Sequence, residues 1–292
     1  MINNDWSTWP APAKLNLFLR IVGRRADGYH LLQTVFRLLD WGDEIRLRVR
    51  DDGQIVRVAG SEAIRPEDDL VVRAARALQA ATGTRLGAEI AVDKRIPMGA
   101  GLGGGSSDAA TVLVALNALW QTGLSRVQLA DIGVRLGADV PVFVHGHSAW
   151  AEGVGEKLVP LELPQCWYVV LDPRVHVGTA GLFQAPELTR NAAPATIAGF
   201  TSGAIRDNGF EPVARARYRE VAAALDWLGG FGIARLSGSG GAVFLECEDE
   251  AGARRIAARC PQEFTAIVAR GTNMSPLEVA WARQNAAAGQ AG

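Results

Sequence analysis

Pro97-Met-Gly-Ala-Gly-Leu-Gly-Gly-Gly-Ser-Ser-Asp-Ala-Ala110 decides how this chain is read. It holds five glycines and two serines, and a long apolar helical pattern follows it. A packed core has no use for such a loop. Glycines without side chains let backbone N–H groups close around an anion. Ser106 and Ser107 then open a helix whose unpaired amides and positive dipole end face the same anion. The guest this points to is the phosphate chain of a nucleotide. A Walker loop would need a lysine after the glycines, and none follows. Gly99-x-Gly101-x-x-Gly104 has the form of a Rossmann fingerprint behind a strand at Ala88–Val92. That motif wants an acid about 20 residues on to hold a ribose hydroxyl, and the region reads Leu124-Ser-Arg-Val-Gln-Leu129 instead. This opposes an NAD-binding oxidoreductase. A flexible linker is opposed by the capped, apolar helix that ends the loop.

Working outward, Leu15, Leu17, Leu19 and Ile21 alternate with Lys14, Asn16, Phe18 and Arg20. The period of two predicts a half-buried strand with Lys14 and Asn16 together on its non-core face. Further strand patterns cover Tyr29–Leu39, Glu44–Arg50 and Gln54–Val58. A helix capped by Asp68 or Asp69 runs to about Ala81 and stops near Gly83; helices follow from Ser106 to Trp120 and from Ser125 to near Gly137. The second half reads as strand Trp167–Leu171, helical material after Thr179, helix Glu211–Leu228, strands Ile233–Leu236 and Ala242–Cys247, helix Asp249–Ala258 and strand Phe264–Arg270. That order suits a split β-α-β, ferredoxin-like layout. Asn191–Arg206 reads as a loop or insertion, and the tail Ala286–Gly292 as frayed. The fold class is α+β, with a domain boundary near Pro160–Pro164.

Composition narrows the classes. The chain has 292 residues, 48% of them hydrophobic, enough for one large domain or two small ones. No stretch approaches the ~18 consecutive apolar residues of a membrane span. Met1-Ile-Asn-Asn-Asp-Trp6 has the layout of neither a signal nor a transit peptide, so a cytoplasmic location is expected. A net charge of −1 with interspersed signs argues against a nucleic-acid surface. The partners expected are a small-molecule substrate and, at most, a weakly bound second copy: a monomer or weak homodimer, with no nucleic acid and no membrane. Cys166, Cys247 and Cys260 lack CxxC spacing and read as reduced cysteines in or near the core. Of 30 basic residues only Lys14, Lys94 and Lys157 are lysine, and all three lie in or beside the informative segments. A lysine presents a compact point charge where a forked guanidinium does not fit. His145 and His147 face one side of an extended segment without a third ligand nearby, so no protein metal site is expected.

Gly101-Leu-Gly-Gly-Gly-Ser-Ser107 resembles the phosphate loop of the GHMP kinases, which serve galactose, homoserine, mevalonate and related small alcohols. Pro12-Ala-Lys-Leu-Asn-Leu17, Arg25-Ala-Asp-Gly-Tyr-His-Leu-Leu-Gln-Thr-Val35, Leu136-Gly-Ala-Asp-Val-Pro-Val-Phe143 and Ala151-Glu-Gly-Val-Gly-Glu156 narrow it. They are similar to the branch that phosphorylates a cytidyl diphosphate sugar alcohol in the non-mevalonate isoprenoid pathway. The resemblance runs from about Pro12 to Glu156 and resumes over Arg235–Glu246. It implies a two-domain α+β fold, with an ATP-binding domain over 1–162 and a ferredoxin-like C-terminal domain over 163–292. It also implies ATP as co-substrate, with Mg2+ brought along and held by phosphate oxygens and the Ser107 hydroxyl. A homoserine or mevalonate type of kinase is the nearest alternative.

The same resemblance assigns residues. Asp139 matches the catalytic base and Lys14 its essential lysine partner. On the ATP side stand Lys94, Pro97, Met98, Gly99, Ala100, Gly101, Leu102, Gly103, Gly104, Gly105, Ser106 and Ser107. On the substrate side stand Asn16, Tyr29 and His30, with Tyr29 suited to stack on cytosine and His30 to bond its edge. Thr179 and Phe183 align with a substrate-contacting threonine and a second stacking aromatic. Read alone, several of these have plainer meanings. Asp139 reads as a capping residue before Pro141, and Thr179 and Phe183 as a helix N-cap with its core residue. Lys94 reads as a solvated strand end, and Tyr29 and His30 as a hairpin aromatic and a surface histidine. Leu236-Ser-Gly-Ser-Gly-Gly-Ala-Val-Phe244 is a second glycine turn, either a hairpin or a wall of the cleft. Ser239 stands where the family usually has threonine, and Ala100 where many relatives carry glycine.

Overall fold

The alternating segment at Lys14–Ile21 lies inside β1 (Ser7–Arg24), which pairs antiparallel with β2 (His30–Arg50). The structure, a computed structural model, describes residues 5–26 and 28–290. Residues 1–4 of the N-terminus, Asp27 and the last two residues of the tail lie outside the described residues. Both segments expected as separate strands, Tyr29–Leu39 and Glu44–Arg50, belong to the one long β2. β1 is buried on both faces, not one, because helices cover one side and the second glycine turn closes over the other. Its register shifts between Pro12 and Lys14 and again between Asn16 and Leu19. Such bulges re-aim side chains, and here they flank the two polar residues of the strand.

β3 (Ile55–Ala59), α1 (Leu70–Thr82) and β4 (Gly87–Asp93) follow, with Asp69 capping α1 and Gly83 ending it in the left-handed region. α2 (Gly104–Leu119) begins two residues before Ser106. Its N-cap is Gly103, at φ 76°, and no side chain caps it. The conformational freedom of glycine, rather than a serine hydroxyl, therefore starts the helix. Ser125 and Gln128 form a capping box on α3 (Arg126–Gly133), and a turn leads to α4 (Val140–His145). His145 thus ends a helix, and the extended segment expected to carry both histidines does not form. β5 (Ala149–Glu152) and β6 (Lys157–Pro160) make a hairpin that joins β2, with Lys157 exposed upon it.

The second half continues with β7 (Trp167–Asp172), α5 (Thr179–Phe183) and α6 (Ile197–Thr201), the last inside the stretch read as a loop. One helix was expected over 211–228, and two form: α7 (Glu211–Arg217) and α8 (Arg219–Gly229), broken where Tyr218 turns extended. β8 (Arg235–Leu236), β9 (Val243–Cys247), α9 (Glu250–Ala257) and β10 (Thr265–Thr272) complete a β10-β7-β9-β8 order. That is the ferredoxin-like arrangement. α10 (Pro276–Gln290) carries helix through most of the tail expected to fray. The fold is α+β throughout.

β10 pairs with β2 at Gly271–Leu39 and Thr272–Leu38, so one sheet runs β3-β4-β2-β10-β7-β9-β8 through the molecule. A buried cluster around Phe18, Tyr168, Trp150 and Phe244 packs where the two halves meet. Each large side chain buried there contributes roughly 1.5–3 kcal/mol. β1, at this junction, is held from both sides. No helix among the described residues is long and apolar enough to cross a membrane. The three cysteines are free, with Cys166 buried and its thiol pushed up by burial.

Candidate active site

Three segments converge on the bulged part of β1. The Lys14 N–H donates to Leu102 O (3.0 Å) and the Asn16 N–H to the Ser237 hydroxyl (3.3 Å). The Ala242 N–H donates to Ala100 O (3.0 Å), so the two glycine turns lie against each other. Glycine is required at this crossing: a Cβ on Gly101 would collide with Ser237 O, and one on Gly240 with the Gly101 amide. The second turn is therefore a wall of the cleft as well as a hairpin. Ala100 is not among the residues with positive φ, in keeping with its side chain.

A cleft of about 850 Å³ opens over this crossing, and Lys14, Asn16, Tyr29, His30, Ser106, Asp139, Thr179 and Phe183 all line it. Lys14 is 3% exposed, and its ammonium sits 3.1 Å from Asp139 Oδ2. It also donates to Asn16 Oδ1 (2.5 Å) and lies over the Phe36 ring, 5.4 Å from the centroid. Asn16 is oriented by its own Nδ2, which donates to Thr34 Oγ1 (2.9 Å), and Thr34 donates in turn to Phe18 O (2.5 Å). Asp139 occupies the N-cap position of α4 yet has helical dihedrals and makes no capping hydrogen bond. Its carboxylate is turned to Lys14 and the cleft.

At the far end the wall is aromatic. His30 stacks on Phe183 with centroids 4.8 Å apart, and Phe183 meets Phe210 edge-on at 4.8 Å. Tyr29, 64% exposed, stands on the rim. His30 Nε2 is buried without a hydrogen-bond partner. Burial, then the charges of Arg24 and Arg190, push the His30 pKa below its ordinary value. Thr179 is the first residue of α5, behind the N-cap Gly178, so it does not cap. Its hydroxyl shares a hydrogen bond with Ser239 (3.0 Å), joining the aromatic end to the second glycine turn. Serine keeps the hydroxyl that threonine would bring.

On the other side of the loop lies a smaller cavity of about 150 Å³, lined by Lys94, Pro97, Met98 and the run Gly99–Gly105. The Lys94 ammonium is ion-paired with Asp43 (2.5 Å) and Asp108 (2.7 Å), so it is not the solvated strand end of the plain reading. Ser107, at the amino end of α2, is fully buried and its hydroxyl has no partner in the protein. Among the described residues, no group of three or more His, Cys, Asp or Glu is placed to hold a metal.

The family described as "GHMP kinases N terminal domain" matches residues 69–147, and "GHMP kinases C terminal" matches residues 192–266. The chain is 62% identical over 276 residues to a 4-diphosphocytidyl-2-C-methyl-D-erythritol kinase of Xanthomonas campestris pv. campestris, covering 94% of each chain. The chain belongs to the 4-diphosphocytidyl-2-C-methyl-D-erythritol kinase family. A relative of the same name from Alkalilimnicola ehrlichii is 56% identical over 274 residues, with 94% of each chain covered. A crystal structure of a 4-(cytidine 5'-diphospho)-2C-methyl-D-erythritol kinase superposes with a TM-score of 0.77 at 35% identity, over 91% of this chain and 99% of that one. A homoserine kinase from Cytophaga hutchinsonii shares the fold, with a TM-score of 0.66 at 20% identity over 94% and 97% of the two chains.

For a 4-diphosphocytidyl-2-C-methyl-D-erythritol kinase, several cleft residues were not singled out from the sequence, although Thr34 lies inside the motif segment Arg25–Val35. Phe36 beneath Lys14 and Thr34 behind Asn16 sit on β2, inside a run of strand residues that looks like ordinary core. Phe210 precedes α7, in the part of the chain that resembles the family less clearly. Asp43 and Asp108 are the missed partners of Lys94 in this kinase. Asp108 directly follows the serines of the glycine loop, and a buried acid there asks for a cation.

Proposed function

We propose that this kinase transfers the γ-phosphoryl group of ATP to the 2-hydroxyl of 4-diphosphocytidyl-2-C-methyl-D-erythritol, with Asp139 as the base and Lys14 as its partner. The observation that carries this reading is the Lys14–Asp139 pair, 3.1 Å apart, in the cleft between the glycine loop and the aromatic pocket. Phosphoryl transfer asks the protein mainly for position and electrostatics. Backbone amides of Gly101–Ser106 would hold the ATP phosphates at the amino end of α2, the Ser107 N–H being bonded to Gly103 O (2.8 Å). Asp139 would orient the substrate hydroxyl and take its proton as oxygen attacks the γ-phosphorus and the bond to the ADP oxygen breaks. Lys14 would offset charge on the phosphoryl oxygens.

The residues fit a magnesium ion arriving with ATP. The Ser106 hydroxyl, which lines the cleft, is an oxygen donor suited to a hard cation, whereas the Ser107 hydroxyl expected in that role is fully buried and lines neither cavity; the ion would neutralise phosphate charge. The His30–Phe183 pair, with the exposed Tyr29 lining the same cleft, supports a nucleobase over the smaller homoserine or mevalonate. A division of the chain into 1–162 and 163–292 belongs to the same reading, since the two family matches fall on either side of it.

The test is Asp139→Asn, which keeps the shape and removes the charge. Turnover should fall on the order of 100- to 10,000-fold, the span of a positioned general base, with ATP binding nearly intact. Near-wild-type turnover by purified Asp139→Asn protein would return Asp139 to a structural role.

A further inference from the structure

The glycine loop has almost no side chains of its own to hold it, and a chain rich in glycine loses much conformational entropy on being fixed. Its two ends are fixed from below. Asp43, on β2, has a completely buried carboxylate. Its Oδ1 accepts the N–H groups of Arg95 (2.5 Å) and Ile96 (2.7 Å), and its Oδ2 accepts from the Lys94 ammonium (2.5 Å). Those three bonds hold the leading end of the loop. Lys94 then reaches past the loop to Asp108 Oδ2 (2.7 Å), inside α2, and so holds the trailing end. A Cβ on Gly104 would stand 3.2 Å from Lys94 Nζ, so the ammonium lies directly beneath the first turn of α2.

Fold stability alone gives little reason for this cluster. Two carboxylates face one ammonium, and Asp108 Oδ1 is buried with no partner. Apolar side chains of similar volume commonly stabilise a core as well as, or better than, a buried ion cluster does. What the cluster supplies is geometry: a loop of exposed amides kept ready for an anion, with the ordering completed before the ligand arrives.

We propose that Asp43, Lys94 and Asp108 are positioning residues, a buried clamp that joins both ends of the glycine loop and sets its grip on the ATP phosphates. The proposal rests on the assignment of that loop to ATP. The clamp and the assignment are tested separately. Asp108→Ala cuts the strap at its trailing end. It should raise the KM for ATP about tenfold, leave the KM for the cytidyl alcohol within about twofold, and speed amide exchange over residues 95–107 in nucleotide-free protein. Asp108→Asn keeps an acceptor for Lys94 and should restore the KM for ATP toward the wild-type value. Asp43→Asn, a smaller change should the alanine variant not fold, should weaken the leading end in the same way. Unchanged KM for ATP in folded Asp108→Ala and Asp43→Asn, with only a lower melting temperature, would overturn the clamp. The assignment answers to a different readout: ATP should slow exchange of the 101–106 amides in the wild-type protein.

Discussion

At the phosphate end of the cleft the wall is backbone, a loop of glycines braced by buried charges, whereas at the other end it is a set of aromatic rings around an unpartnered histidine nitrogen. The first surface presents N–H groups in fixed directions and suits any nucleoside triphosphate phosphate chain. The second presents aromatic rings with His30 Nε2 buried among them, and on the proposed function it would take a planar heterocycle. On the proposed function, the difference separates where ATP would be gripped from where the acceptor would be selected. Lys14 and Asp139 stand between the two, so substitutions at the three places should fail in three distinguishable ways.

After Asp139→Asn, Lys14→Arg should give the largest loss. The ammonium is enclosed by Asn16, Asp139 and the ring of Phe36, and a Cβ on Gly238 would already come within 3.3 Å of it. A fork does not fit there, and kcat should fall on the order of 100- to 1,000-fold, as when a transition-state donor is removed. Stopped turnover assays with both substrates saturating would measure it; retention of most of the activity would contradict the compact-charge argument.

Gly103→Val breaks the phosphate end. Gly103 sits at φ 76°, where a β-branched residue is strained, and its Cβ would lie 2.8 Å from the Phe143 ring and 3.1 Å from Lys14 Cε. The specificity constant for ATP should drop on the order of 100-fold, while binding of the cytidyl alcohol alone, followed by calorimetry, should change little. Equal losses for both ligands would erase the distinction between the two ends.

Tyr29→Ala breaks the other end. It should cost roughly 1–3 kcal/mol of substrate binding, by analogy with base stacking elsewhere, with ATP affinity unmoved. Tyr29→Phe, which keeps the ring, should lose much less. A Tyr29→Ala enzyme with an unaltered KM for the cytidyl alcohol would remove stacking from the account.

The smallest effects concern pH. Burial raises the Asp108 pKa to about 7 and the charge of Asp43 adds to it, while Lys94 acts the other way. With the folded pKa above the unfolded value of 3.8, the native state binds the extra proton between the two values. Stability from this group is therefore full at low pH and lost as pH rises through neutrality. Asp108→Asn has no such loss, so its melting temperature relative to wild type should climb from about pH 5 to about pH 8. A constant difference across that range would contradict the buried-charge picture.

How much of this was legible in the sequence depends on the distance over which each feature is decided. Local chemistry was readable: Asp69, Ser125 and Asp249 cap helices as their types suggest, and the strand patterns fall in strands, two of them merged into β2 and Ile233–Leu236 shortened to β8. The start of α2 was misplaced because a glycine in the left-handed region caps without leaving a side-chain signature. Tyr218 breaks a helix with no proline or glycine to announce it. The two-sided burial of β1 was invisible because the second cover comes from residues near Ser237, far along the chain. For the site, the candidates were named one by one, and the structure brings Lys14, Asn16, Tyr29, His30, Ser106, Asp139, Thr179 and Phe183 to one cleft, while their roles belong to the proposed function. Their couplings were not legible: the Asn16–Thr34 bond, the His30–Phe183 stack and the Asp43–Lys94–Asp108 cluster are tertiary facts.

The central claim is that these two unlike ends select a cytidyl alcohol and ATP for the same cleft. ADP release by the wild-type enzyme, measured side by side with 4-diphosphocytidyl-2-C-methyl-D-erythritol, homoserine and mevalonate, tests it most directly. Rapid ATP-dependent release with the cytidyl alcohol, and background rates with the other two, is the predicted result. Comparable turnover of homoserine or mevalonate would contradict the account.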